Sequence, residues 1–355
     1  SYEKERPRMQ AVDEKVLARV AECLSEGKPC WLATVVATYG SSPRPVGSLL
    51  TCNTEGEIVG SLSGGCVEDD LLAKLTLGLL AHERAQFFRY GDDEEEAEKL
   101  GLPCGGHLDI VVEALEASML PHFEKIKQRL QSRNLCQRTV DLRDRSIATF
   151  DVDRFEELRY EENAQTLVQT YGPRYQLFLI GAGMVSQYVA EMAQALDYRV
   201  VVCDPRRDVL DGFPVAGVEK ICDMPDDAIR ESANDCHTAI IALTHDPRID
   251  DMGLMEALKT SAFYVGAMGS SRTSDSRRER LRALDISVHE LERLHAPVGL
   301  SIGSKTPPEI ALSILAQITS IRKQLETDTT DVSVLERSVE HESEPAAARS
   351  GIVVG

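Results

Sequence analysis

The sequence predicts an α/β protein of two domains, an N-terminal α/β domain followed by a doubly wound parallel sheet. Three observations predict it. The chain has 355 residues, more than one hydrophobic core usually serves, since single cores rarely grow past about 250 to 300 residues. An apolar strand, a glycine-rich turn, a helix, a second strand and an acid follow one another from Tyr175 to Asp204. Further strand-and-helix units recur behind that one, the pattern that builds a parallel sheet.

Taken in order, Val12, Val16, Val20 and Leu24 stand at helical spacing and the pattern stops at Gly27-Lys28-Pro29, which predicts an amphipathic helix over 9–27. Trp31 to Thr38 reads as a buried strand, and Gly40 to Gly47 as a rigid loop holding Arg44 between two prolines. A strand from Ser48 to Cys52 and a turn at Asn53-Thr54-Glu55-Gly56 lead to a glycine corner at 61–68 and a helix to about His82. After a strand from Ala85 to Tyr90, the run Asp92 to Glu98 carries six acids and no base, a solvated loop or helix face. Leu108 to Ala114 is an apolar strand expected to close the first sheet. These elements make a first domain over 1–118, and 119–172 reads as a connecting segment with a helix at 121–132 and hairpin strands around 137–150.

The corner is Ser61-Leu62-Ser63-Gly64-Gly65-Cys66-Val67-Glu68. A helix N-terminus stabilises an anion through its unpaired N–H groups and its dipole, and Gly64 and Gly65 let the backbone close on a ligand. A thiolate or a phosphate suits that place, while Glu68, Asp69 and Asp70 in the first turn oppose both. Cys66 is therefore either a reactive thiol or a small packing residue. Pro103-Cys104-Gly105-Gly106-His107 repeats the theme. A thiol or metal site built from Cys66, Cys104 and His107 stands beside the alternative of unconnected packing cysteines, and no metal is assigned.

In the second domain, over 173–325, Tyr175 to Ile180 is a strand, Gly181-Ala182-Gly183 the turn, Ser186 to Leu196 the helix and Arg199 to Cys203 the next strand, ending at Asp204. This is the Rossmann-like arrangement that takes an adenine dinucleotide, NAD(P) or FAD, with pyrophosphate at the helix N-terminus and Asp204 on the ribose. Ser186 stands where a third glycine is usual. Asp204 favours NAD over NADP, and Arg206 and Arg207 weaken that preference. Later strands from Thr238 to Leu243 and from Ala262 to Gly266 should bring His245, Gly266 and Gly269 to the same crevice. His245 reads either as a general base, which makes a nicotinamide-dependent oxidoreductase an alternative function, or as a loop residue. Thr306-Pro307-Pro308-Glu309 caps a helix from Ile310 to Leu325, and 326–355, with few apolar residues, is expected to be a disordered acidic tail.

Composition excludes several classes. The chain carries 58 acidic against 39 basic residues, a net −19, with no basic stripe for nucleic acid or an anionic membrane. Ser1 to Arg6 is charged, and no apolar run approaches the about 18 residues needed to span a bilayer, so a cytoplasmic location is expected. Nine cysteines form no Cys-x-x-Cys pair, which argues against a disulfide framework and a zinc ribbon.

Five stretches together resemble the XdhC/CoxI family of xanthine dehydrogenase accessory proteins: Gly40-Ser41-Ser42-Pro43-Arg44, Gly60 to Glu68, Pro103-Cys104-Gly105-Gly106, Tyr264 to Ser270 and His295 to Leu300. The match runs in order over residues 10 to 322. The resemblance implies an XdhC/CoxI-type first domain and a chaperone that binds molybdenum cofactor. Such a chaperone supports the cofactor's sulfuration with a cysteine desulfurase and inserts it into an apo-molybdoenzyme of the xanthine oxidase class. It also implies a homodimer. Residue reading and resemblance together assign chemistry to Cys66 and Cys104. Cofactor contacts fall to Arg44, Gly64, Gly65, Cys66, Gly105, Gly181, Gly183, Asp204, His245, Gly266 and Gly269. The segment after Gly269 is less basic than the resemblance leads one to expect.

Overall fold

The structure is a computed structural model that describes residues 11–39, 44–63, 66–81, 85–91, 107–153 and 155–342, with side chains described as far as Leu325. The chain divides into two compact units, residues 1–175 and 176–355.

In the first unit, helix α1 (Ala11–Ser25) buries Val16, Leu17, Val20 and Leu24 along one stripe, as its spacing dictates. Strands β1 (Cys30–Thr38), β2 (Leu49–Asn53), β3 (Ile58–Gly60), β4 (Gln86–Tyr90) and β5 (Leu108–Leu115) form one antiparallel sheet in the order β3-β2-β1-β5-β4. Strand β5 does not close that sheet. It pairs β1 on one side and β4 on the other, which explains why nearly all of its residues are buried. Side-chain alternation along the strands supplies two faces. Leu32 and Leu49 join the stripe of α1, whereas Ala33, Leu50, Ile110 and Val112 pack on Val67, Leu71 and Leu75 of helix α2 (Val67–Thr76).

Residues 119–172, expected to connect two domains, are part of the first unit. Helix α3 (Leu120–Gln131) adds Phe123 and Ile126 to the core around α1. Strands β6 (Cys136–Asp141), β7 (Ile147–Asp151), β8 (Arg159–Glu161) and β9 (Thr166–Tyr171) build a second antiparallel sheet in the order β7-β6-β9-β8. One buried ion pair ties the two sheets together. Arg138 of β6 donates from both terminal nitrogens to Glu113 of β5, at 2.8 and 2.7 Å, with Arg138 1% and Glu113 2% exposed. Burial opposes the Arg138 charge, and the Glu113 carboxylate and Tyr171 phenol outweigh it, so the guanidinium pKa is raised.

The second unit alternates strands β10 (Gln176–Ile180), β11 (Arg199–Cys203), β12 (Glu219–Ile221), β13 (Thr238–Ala242), β14 (Tyr264–Ala267) and β15 (Leu294–His295) with helices. These helices are α4 (Met184–Ala195), α5 (Arg207–Asp211), α6 (Pro225–Ser232), α7 (Pro247–Ala257), α8 (Ser271–Ala283) and α9 (Val288–Glu292). The sheet is wholly parallel, in the order β12-β11-β10-β13-β14-β15. Strand order reverses between β10 and β13, and the carboxyl ends of these two strands flank the crevice where doubly wound folds bind ligands. The last helix, α10 (Pro307–Glu342), outruns its expected end at Leu325. Neither glycine nor proline occurs from Glu309 to Glu342, and extending a helix costs far less than starting one. Residues 343–355 lie outside the described residues. No helix among the described residues is long and apolar enough to cross a membrane.

Truncating one member of the sheet-joining pair should be costly and truncating both should not. Arg138→Ala or Glu113→Ala is expected to destabilise the first unit by about 3 to 5 kcal/mol, whereas Arg138→Met with Glu113→Leu costs less than either, because no unpaired charge stays buried. Urea unfolding followed by circular dichroism measures both.

Candidate functional site

Cys66 is the N-cap residue of α2 and is exposed. Exposure removes the packing alternative for this thiol. It also sets Cys66 apart from Cys30, Cys52 and Cys203, which burial pushes up to about 12. Glu68, which on sequence opposes an anion at this corner, is turned back onto the loop before Cys66. Its carboxylate accepts from the amides of Leu62 at 2.8 Å and Ser63 at 3.0 Å, and from the hydroxyls of Ser61 at 2.9 Å and Ser63 at 3.2 Å. Asp70 pairs with Lys74 one turn along, so two of the three acids of the first turn have cationic or N–H and O–H partners.

Arg44 joins this corner. Its Nε donates to the carbonyl of Ser61 at 3.4 Å, and the loop carrying it is held from the second sheet, where Gln169 Nε2 donates to Gly47 O at 3.1 Å. Gln169 in turn accepts from the Tyr171 hydroxyl at 3.0 Å, and Tyr171 accepts from Arg138 at 3.3 Å. His107 stacks on Tyr39 with ring centroids 3.7 Å apart. Gly64, Gly65, Cys104 and Gly105 lie outside the described residues.

In the second unit, Gly181 follows β10 with φ +101°, and a Cβ there would lie 2.6 Å from Thr244 Cγ2. Only glycine suits that combination. A Cβ on Gly183 would meet nothing within 4 Å, so the space above the helix start is open. Ser186 is fully buried and donates to Gly181 O at 2.6 Å, which is how a serine replaces the third glycine. Asp204 is wholly buried. It accepts from Ala182 N at 2.9 Å and from Arg206 three times, through N at 3.0 Å, Nε at 2.9 Å and the terminal guanidinium nitrogen at 2.8 Å. Burial works to raise its pKa, and Arg206 with the two amides outweighs it, leaving the carboxyl below its ordinary value. As arranged, these groups do not fit an adenine dinucleotide, because the acid meant for the ribose has its acceptor positions filled.

The remaining second-unit residues divide. His245 is exposed just past β13. Gly266 is a packing glycine, for a Cβ there would lie 2.7 Å from Val298 and 2.8 Å from the Tyr264 ring. Gly269 precedes Ser270, whose hydroxyl caps α8 by accepting from Thr273 N at 3.2 Å. Sequence reading missed the charge cluster that binds these strand ends. Asp250 accepts from the Thr244 hydroxyl at 2.7 Å and from Arg277 at 3.0 Å, while Arg277 also donates to Met268 O at 3.0 Å and Asp251 at 3.2 Å. Desolvation pushes the Asp250 carboxyl up to about 6 despite Thr244 and Arg277. Its signal in the sequence was two adjacent acids one turn into a helix that follows a buried strand.

Residues 12–91 match the model of the XdhC and CoxI family and residues 177–318 that of the XdhC Rossmann domain. The chain belongs to the XdhC/CoxI family. Over 318 residues it is 28% identical to the molybdenum cofactor insertion chaperone PaoD of Escherichia coli, covering 89% of this chain and 91% of that one. It is 24% identical to a Bacillus subtilis protein named as a probable xanthine dehydrogenase subunit, covering 85% and 96%. A crystal structure of a xanthine dehydrogenase from Bacillus halodurans shares the fold at 23% identity with a TM-score of 0.65, covering 87% of this chain and 96% of that one. The XdhC Rossmann domain thus coincides with the crevice at Gly181.

The two turn glycines should behave oppositely. Gly181→Val is expected to cost at least about 2 kcal/mol, from a disfavoured φ and the Thr244 contact, and Gly183→Ala less than about 0.5 kcal/mol. Thermal unfolding of the second unit distinguishes them.

Proposed function

We propose that the chain is a molybdenum cofactor insertion chaperone that serves a molybdoenzyme of the xanthine dehydrogenase class and holds the cofactor, as cargo, at the Cys66 corner. The observation that carries this reading is the exposed Cys66 thiol on a loop pinned by Glu68, in a chain similar along 89% of its length to a protein named for that activity. The chemistry agrees. The cofactor joins a phosphate ester to a soft, thiophilic metal centre; a thiol at a helix start suits the metal, and neighbouring amides suit the phosphate.

In this reading the chain captures, shields and releases, and its own residues make or break no bond, so it is a maturation factor rather than an enzyme. Arg44 lies on the same loop system as a cation for the anionic cargo, and Cys104 with Gly105 would supply a second contact. Sulfuration with a cysteine desulfurase and a homodimer belong to the same proposal and rest on the family resemblance; a cytoplasmic setting is proposed with them. No observation favours the nicotinamide-dependent oxidoreductase, since Asp204 has no acceptor position left for a ribose.

Mass spectrometry of small molecules released from the purified chain tests the proposal, with molybdopterin or its cytosine dinucleotide as the expected species. Cys66→Ala should keep the fold and lose the cofactor, and Glu68→Ala should retain about tenfold less, the usual scale for removing an outer support. Cys104→Ala should give a weaker defect than Cys66→Ala. Wild-type retention by folded Cys66→Ala would overturn the assignment of the corner.

A further inference from the structure

Asp204 ends β11 where a dinucleotide-binding unit keeps the acid that accepts the ribose hydroxyls. A carboxylate offers about four lone-pair positions. Here four donors take them: the amides of Ala182 and Arg206, and two nitrogens of the Arg206 guanidinium, all between 2.8 and 3.0 Å. The carboxylate is 0% exposed, whereas the Arg206 side chain is 49% exposed. Ala182 belongs to the glycine turn itself, so one of the amides beside the pyrophosphate position is committed to the same acid. Space is not the obstacle, because a Cβ on Gly183 would meet nothing.

We propose that the Arg206 guanidinium is a built-in occupant of the ribose subsite, a latch that keeps the crevice of the second unit closed to adenine dinucleotides. The proposal is independent of the chaperone reading, which concerns the first unit. A guanidinium fork matches a carboxylate in two parallel hydrogen bonds, and a ribose offers two neutral hydroxyls in exchange. The ligand therefore loses the competition at this acid. The latch is nevertheless displaceable: half of its side chain lies in solvent, and its removal opens no core cavity.

Calorimetric titration of the full chain with NAD and with ADP-ribose, beside Arg206→Ala and Arg206→Lys, tests the latch. The wild type should show no saturable binding up to about 1 mM, and Arg206→Ala should bind at least about tenfold more tightly. Arg206→Lys should fall between them, since an ammonium cannot make the fork. Adding Gly183→Val to Arg206→Ala should abolish the gained binding, which locates it in this crevice. Equal affinity of the wild type and the folded variants, or silence from all of them, overturns the proposal. Should Arg206→Ala fail to fold, Arg206→Lys carries the same comparison.

Discussion

The first unit depends on one buried ion pair. Glu113 and Arg138 sit in neighbouring antiparallel sheets, and neither is tolerable without the other, because an isolated charge in that interior would cost several kcal/mol. Their pairing does more than join sheets. Through Tyr171 and Gln169 it reaches the carbonyl of Gly47, and so fixes the loop from which Arg44 approaches Ser61. Glu68 fixes the other side of the same corner. An exposed thiol thus stands on backbone that is held from two directions, which is the precondition for presenting it reproducibly to a ligand.

Charge is used differently in the second unit. Arg277, Arg278 and Arg293 all donate to backbone carbonyls at strand and loop ends, and Arg277 and Arg280 also pair with Asp250 or Asp251. These guanidiniums are framework. Of the arginines after Gly269, Arg277, Arg278 and Arg280 have donors committed to the protein itself, whereas Arg272 at the helix start is exposed. Asp204 and Arg206 follow the same rule at the crevice.

Much of this was legible in the sequence. Strand, glycine turn, helix, strand and acid placed β10, α4 and β11 to within two residues, because apolar runs bounded by turn residues leave little choice of element. Asp204 was found as a residue but its pairing was not: its partner, Arg206, stands two positions away, and no periodicity tells whether an arginine folds back onto an acid or reaches for a phosphate. The second sheet of the first unit was less visible. Its strands are three to six residues long, and their half-buried alternation resembles loop sequence. Glu68 was read for its charge, and its hydrogen bonds to Ser61, Leu62 and Ser63 arise only once the loop is closed.

Burial sorts the described thiols by chemical fate. Cys23, Cys30, Cys52, Cys136 and Cys203 are enclosed in the cores and Cys222 is half-buried, while Cys66 and Cys236 face solvent. Oxidants act on accessible sulfur first, so exposure to air or peroxide attacks the corner at Cys66 while both cores are intact. Ageing of this protein is then a chemical event before it is a conformational one: a preparation can keep its spectrum and its melting curve after the sulfur it presents to solvent has been spent.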